Sequence, residues 1–310
     1  MEQTAKIYIA GHRGMVGSGI ERKLKKEGYN NIVTRTSSEL DLRNQQAVND
    51  FFEKEKPTYV ILAAAKVGGI NANISYPVDF LYDNLMIQNN VIKSANNNSS
   101  KKILFLGSSC IYPRNSIQPL KEEYVMQGEL EPTNEGYALA KIAGIKLLEA
   151  YSKQFDSEYI VINPCNLYGL NDSFDLEHSH VLSAMVKKFV DAVADPRVKE
   201  VFIWGSGIAR REFMNVDDLA DAVFFYMKSE EKINFINIGP GVDISIRELA
   251  ELISKKVGYE GKLIFDNTKP DGMLRKCLDV TKMKNSGFYP QISLSEGIDQ
   301  VINLYKKTLV

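Results

Sequence analysis

The sequence predicts an α/β protein, a doubly wound parallel sheet followed by a smaller C-terminal α/β domain. Three observations lead there. Strand-like and helix-like segments alternate through the first half of the chain. Two of the strand-like runs, Y-V-I-L-A-A-A (59–65) and K-I-L-F-L (102–106), are apolar without interruption. A loop with three evenly spaced glycines follows the first strand-like run directly. Alternation of this kind needs right-handed crossovers that place helices on both faces of a sheet, and a strand covered on both faces has no polar side to show.

Taken in order, K-I-Y-I-A (6–10) reads as the first strand, with a helix from Met15 to Glu27 after it. N-I-V-T (31–34) is the second strand, followed by a helix from Asn44 to Lys54. The apolar runs at 59–65 and 102–106 are the third and fourth strands, and Asn84 to Ala95 between them has helical periodicity. A helix from Tyr137 to Phe155 precedes the strand Y-I-V-I (159–162). After N-P-C-N-L-Y-G (163–169) the regularity weakens. A polar loop runs to His180, then a helix covers Val181 to Val193. V-F-I-W (201–204) and F-I-N-I (235–238) read as strands, with a helix from Val216 to Met227 between them. Helices start at Ser245 and Ser293, and Leu263 to Phe265 forms a short strand.

With 310 residues the chain can bury a large core, and its length suits about two domains. Its net charge of -1 lacks the basic excess that nucleic-acid or membrane-surface binding would require. No apolar stretch reaches the length of a membrane span, and M-E-Q-T-A-K at the start lacks the apolar core of a secretion signal. Cys110, Cys165 and Cys277 are odd in number, far apart and without a C-x-x-C pair, so neither a disulfide framework nor a metal site is expected. A cytoplasmic, reducing setting is the expectation.

I-A-G-H-R-G-M-V-G places Gly11, Gly14 and Gly17 after the first strand, at the start of a βαβ unit. Glycines there permit a tight turn and a close approach of backbone N–H groups to a pyrophosphate, which the helix N-terminus also attracts. The spacing is G-x-x-G-x-x-G rather than the common G-x-G-x-x-G. An acid usually ends the second strand and holds the ribose of NAD; here the region reads V-T-R-T-S-S-E, with Arg35 in that place. Arg13 in the glycine loop and Arg35 together favour a 2′-phosphate, hence NADP(H). Asp41 and Leu42 are placed to line the adenine site, and the nearby Glu39 leaves room for some NAD use. The predicted division is a Rossmann-like NADP-binding domain over 1–164, with returning segments near 201–240, and a smaller interleaved substrate domain over 165–310.

E-G-Y-A-L-A-K puts Tyr137 and Lys141 on one face of a helix. A lysine beneath the phenol is expected to lower its pKa and to hold the cofactor ribose. Tyrosine is then a proton donor to a carbonyl oxygen. Ser108, in G-S-S-C-I-Y at the end of the fourth strand, is placed to hydrogen-bond the same oxygen. By themselves, Cys110 reads as a small buried filler and His180, with His178 two residues before it, as a surface residue.

Longer blocks extend these motifs nearly end to end: I-A-G-H-R-G-M-V-G-S (9–18), L-A-A-A-K-V-G-G-I (62–70), L-G-S-S-C-I-Y-P (106–113), L-E-P-T-N-E (130–135), A-K-I-A-G-I-K-L (140–147), N-L-Y-G (166–169), S-H-V (179–181), W-G-S-G (204–207), R-E-F (211–213) and K-P-D-G (269–272). In them the chain resembles the extended short-chain dehydrogenase/reductases, and among these the GDP-L-fucose synthase family of GDP-4-keto-6-deoxymannose 3,5-epimerase/4-reductases. The resemblance implies NADPH-dependent reduction of the C4 ketone of a GDP-4-keto sugar, with C3/C5 epimerisation in the same site. Because a C4 ketone acidifies the protons on C3 and C5, inversion needs one group to take a proton and another to give one. The resemblance assigns that work to Cys110 and His180. It implies cofactor contacts at Met15, Val16, Ala63, Ala64, Ala65, Pro164 and His180 besides those above. It implies substrate contacts at Ser108, Asn166, Lys188, Trp204, Arg211 and Lys276, and a homodimer through the helices at 84–95 and 137–155.

The chain departs from the family's pattern near the expected sugar pocket. Gly136 stands where the family carries proline, Cys165 where it carries threonine, and Lys187 and Lys188 where it carries arginines. A second expectation therefore keeps fold and cofactor but makes the protein a C4 reductase only, for a GDP-4-keto-heptose or 6-deoxyheptose epimerised by another enzyme. A remote third is a non-catalytic, dinucleotide-sensing protein.

Overall fold

The computed structural model describes residues 1–176 and 179–309, so His178 lies outside the described residues. Its first half contains β1 (Ile7–Ala10), α1 (Met15–Lys26), β2 (Ile32–Arg35), α2 (Gln45–Glu55), β3 (Tyr59–Leu62), α3 (Ile70–Ser75), α4 (Pro77–Asn97), β4 (Lys102–Leu106), α5 (Glu135–Phe155) and β5 (Glu158–Pro164). Two differences from the sequence reading bear on the site. The third strand stops at Leu62: Ala63 N still donates to Ala10 O at 3.0 Å, after which the alanines leave the sheet. The helix expected at Asn84 starts at Pro77, preceded by the unpredicted α3. Proline is preset for a first helical position, but Val78 and Tyr82 are exposed there, which breaks the apolar periodicity.

The second half contains β6 (Asn166–Tyr168), α6 (Val181–Ala194), β7 (Glu200–Trp204), β8 (Arg210–Asn215), α7 (Val216–Lys228), β9 (Phe235–Ile238), β10 (Asp243–Ser245), α8 (Ile246–Val257), β11 (Lys262–Asp266), β12 (Arg275–Lys276), α9 (Thr281–Asn285) and α10 (Leu294–Lys307). The helices expected from Ser245 and Ser293 start there, each with a capping box: Ser245 Oγ accepts from Glu248 N at 3.1 Å, and Glu248 Oε2 accepts from Ser245 N at 2.8 Å.

The main sheet has six strands in the order β2-β1-β3-β4-β5-β9, every pair parallel. Its core strands β1 and β3 are buried at every residue, which is why they read as unbroken apolar runs. The chain returns to this sheet through β9 and through α7, whose Leu219, Val223 and Tyr226 join the first core. The strand at 201–204 does not return: β7 pairs with β11, and its alternating burial shows a sheet covered on one face. A second core lies under α6, α8 and α10, around Phe189, Leu249, Ile253 and Val301. Here β8 pairs with β10, β12 and β6.

Strand order reverses between β1 and β3, and in open α/β sheets the crevice at such a reversal, outside the carboxyl ends of the strands, is where ligands bind. A buried network stiffens the floor of that end. The Tyr112 hydroxyl donates to Asn237 Oδ1 at 2.6 Å, and Asn163 Nδ2 donates to the same oxygen at 2.9 Å. The turn after β4 is thereby tied to the ends of β5 and β9.

Candidate active site

A cavity of about 1080 Å³ opens at the carboxyl ends of β1 and β3. Its floor is the glycine loop with Met15 and Val16, faced by Ala63, Ala64 and Ala65. Gly11 has φ of 86°, and a Cβ there would lie 2.7 Å from Ala64 N. A Cβ on Gly17 would lie 2.2 Å from Gly11 O. α1 starts without a side-chain cap and without an acid in its first turn, so its first backbone N–H groups point at the cavity with their partial charge unopposed. A cradle that any side chain would fill, at the positive end of a helix, fits the diphosphate of a dinucleotide. Gly17→Ala is expected to weaken NADPH binding by about tenfold or more, because the methyl meets backbone rather than a movable side chain. Fluorescence titration of NADPH reads this, and unchanged affinity would show that the cradle is not the phosphate site.

The end of the cavity beside β2 is lined by Arg13, Arg35, Asp41, Leu42 and also Arg43, which the sequence reading passed over. Arg35 donates to Glu55 Oε1 at 2.8 Å and to Thr34 O at 2.7 Å, while Arg13 is exposed. Asp41 is held by Arg43, whose Nη2 donates to its Oδ2 at 2.9 Å. Glu39 accepts from Thr36 N at 2.7 Å and is taken up in that turn. Arg35 and Arg43 are thus paired with Glu55 and Asp41, while Arg13 is exposed and Glu39 is turned to Thr36.

On the opposite wall are Ser108, Cys110, Tyr137 and Lys141. Ser108 caps the short turn Ser109–Ile111, which brings Cys110 Sγ to 3.2 Å from its Oγ. The half-buried Tyr137 ring meets Phe80 edge-on at 6.4 Å. Lys141 is buried; its Nζ donates to Leu106 O at 2.8 Å, with Phe105 and Tyr137 rings at 4.6 and 5.7 Å. Contrary to expectation, this lysine does not lower the phenol. Burial drives Tyr137 well above the ordinary tyrosine value, the Cys110 charge adds to it, and only the Ser108 hydrogen bond opposes. The ammonium faces the ring and gives its hydrogen bond to a backbone carbonyl, and burial pushes Lys141 itself down to about 8. Tyr137 is thus a phenol that keeps its proton, suited to donate.

Burial likewise raises the Cys110 thiol, countered first by the positive charge of Lys276. His180 is the N-cap residue of α6 and lines the same cavity. Its Nδ1 lies 3.1 Å from Asp172 Oδ1, and that hydrogen bond raises the imidazole above its ordinary value against the effect of burial. Asp172 also lines the cavity and was not singled out in the sequence, where it is one acid among several in an aperiodic loop.

Of the remaining expected contacts, Pro164, Asn166 and Lys276 line the cavity, and Asn166 Nδ2 is fixed on Glu212 O at 2.8 Å. Lys188, Trp204 and Arg211 do not line it. Lys188 donates to Phe202 O at 2.8 Å, beside the exposed Trp204 of β7. Arg211 donates to Asp271 O at 2.8 Å and pairs in register with Lys276. All three cysteines are unpaired, and among the described residues no cluster could hold a metal ion.

A glycine cradle beside a Ser-Tyr-Lys wall defines a dinucleotide-dependent enzyme, and the chain belongs to the NAD dependent epimerase/dehydratase family, whose profile matches residues 7–239. Among its relatives is the putative GDP-L-fucose synthase 2 of Arabidopsis thaliana, 53% identical over all of this chain and 94% of that protein. The GDP-L-fucose synthase of Escherichia coli K12 is 49% identical over 94% of each chain. Among solved structures, the GDP-mannoheptose C4 reductase MlghC of Campylobacter jejuni, with NADP bound, superposes with a TM-score of 0.89 at 39% identity over 99% of each chain.

Proposed function

We propose that the protein is an NADPH-dependent GDP-4-keto-sugar reductase that also epimerises C3 and C5, converting GDP-4-keto-6-deoxymannose to GDP-L-fucose. The observation that carries this is one cavity lined by two sets of proton-handling groups: Ser108, Tyr137 and Lys141 for the ketone, Cys110 and His180 for the neighbouring carbons. Relatives named GDP-L-fucose synthase at about half identity support the choice of sugar. The cofactor supplies a hydride when bound. Tyr137 gives its proton to the ketone oxygen, Ser108 holds that oxygen, and Lys141 compensates charge on the phenolate that remains. Reading Lys188, Trp204 and Arg211 as contacts for the distal nucleotide places them on the second lobe, beyond the cavity.

The second reading, a C4 reductase for a pre-epimerised GDP-4-keto-heptose, draws on the likeness to MlghC and on the departures at Gly136, Cys165, Lys187 and Lys188. One experiment separates them. The protein is incubated in deuterium oxide with GDP-4-keto-6-deoxymannose or an already epimerised GDP-4-keto-heptose, first without NADPH and then with it. Deuterium at C3 and C5, followed by GDP-L-fucose, is the expected result. NADPH loss without exchange leaves the reductase alone, and no NADPH loss on either substrate revives the sensing protein.

In the same reading the protein is a cytoplasmic homodimer. The exposed Val78 and Tyr82 of α4 and Leu139 of α5 supply the apolar surface that a four-helix contact between two copies would cover. Reducing conditions suit a free thiol at Cys110.

A further inference from the structure

The loop between β6 and α6 does more than carry His180 to the cavity. Asn171 anchors it to α1, its Nδ2 donating to Ser18 Oγ at 2.8 Å. The next residue, Asp172, has a side chain only 4% exposed and is encircled by donors. Its Oδ1 accepts from Ser173 N at 2.9 Å and faces His180 Nδ1 at 3.1 Å; its Oδ2 accepts from Ser183 Oγ at 2.5 Å. Ser183 is fully buried in the first turn of α6, the helix that His180 caps. Both oxygens are therefore fixed by groups on either side of the histidine, and the ring meets a carboxylate that cannot turn away.

We propose that Asp172 is the positioning residue for His180: it holds the proton on Nδ1 and so presents Nε2 to the sugar as the atom that exchanges a proton. An ionised carboxylate only accepts, so the ring nitrogen facing it must be the one that carries hydrogen. Asp172 itself neither takes nor gives the proton; the transfer runs between Nε2 and the sugar carbon. The hydrogen bond also favours the imidazolium, in agreement with the raised value of His180. Among the described residues, Asp172 is the charged group in contact with the ring, and Cys110, Tyr137, Lys141 and Lys276 are titratable groups lining the same cavity.

This inference rests on the epimerising reading of His180, and its test has a part that does not. In ¹⁵N-histidine-labelled protein, assigned with a His180→Gln variant, the neutral ring of His180 is expected to carry its proton on Nδ1. A proton on Nε2 overturns the proposal without any variant of Asp172. Asp172→Asn is expected to lower the His180 titration midpoint by about one pH unit or more. Solvent-deuterium exchange into the sugar should fall about tenfold or more relative to ketone reduction, and the limb of its pH profile that follows His180 should move to lower pH. An unchanged midpoint overturns the proposal whatever the rates do. If the unaltered protein exchanges no deuterium, the epimerising function fails while the tautomer and the midpoint still decide the role of Asp172.

Discussion

Tyr137→Phe is expected to cut kcat for ketone reduction by about 10²- to 10⁴-fold, the range for losing a positioned general acid, while NADPH affinity stays close to that of the unaltered protein. The phenol oxygen is the atom removed; the glycine cradle and the Phe80 contact of the ring are untouched. Stopped-flow loss of NADPH absorbance reads the rate, and turnover close to that of the unaltered protein would take the proton-donor role away from Tyr137. The pH profile sharpens the test. Burial keeps the phenol protonated through the working range, so the titrating partner is Lys141, pushed down to about 8. Its charge is present below that value and lost above it, so reduction should decline as pH rises through about 8. Lys276 titrates in the same region but faces Cys110, and a Lys276→Gln variant that keeps the decline assigns it to Lys141.

β1 and β3 were legible in the sequence because strands buried on both faces have no polar residue to interrupt them. The glycine loop was legible because Gly11 and Gly17 sit where backbone meets backbone, a constraint only residue type can satisfy. The Tyr137–Lys141 spacing put both side chains on one face of α5 as expected, yet the electrostatic conclusion drawn from it did not hold. Spacing gives direction, whereas burial and the Leu106 carbonyl decide what the ammonium does. α4 began seven residues before the expected Asn84 (84 − 77 = 7) because its first turns carry exposed apolar residues, which carry no period. Asp172 was beyond reach for a different reason. Its contacts with His180 and Ser183 come from a loop folding back on the helix that follows, and aperiodic sequence encodes no such pairing.

The thiol gives the other large effect. Cys110→Ser keeps a small hydrogen-bonding group beside Ser108, yet an alcohol gives up its proton far less readily than a thiol. Deuterium exchange at C3 and C5 is therefore expected to fall by about 10²- to 10⁴-fold, far more than reduction of a ketone supplied already epimerised. The thiol needs help to ionise, since burial raises it; the charge that opposes this most comes from Lys276, from the strand β12 of the second lobe. Exchange should accordingly respond to Lys276→Gln as well, in the same direction and by less, because Ser108 and Lys141 still favour the thiolate. Mass spectrometry of the sugar after incubation in deuterium oxide without NADPH measures all three proteins side by side. Exchange in Cys110→Ser equal to that of the unaltered protein would return Cys110 to the status of packing between β4 and the cavity, and would leave His180 without the partner that inversion requires.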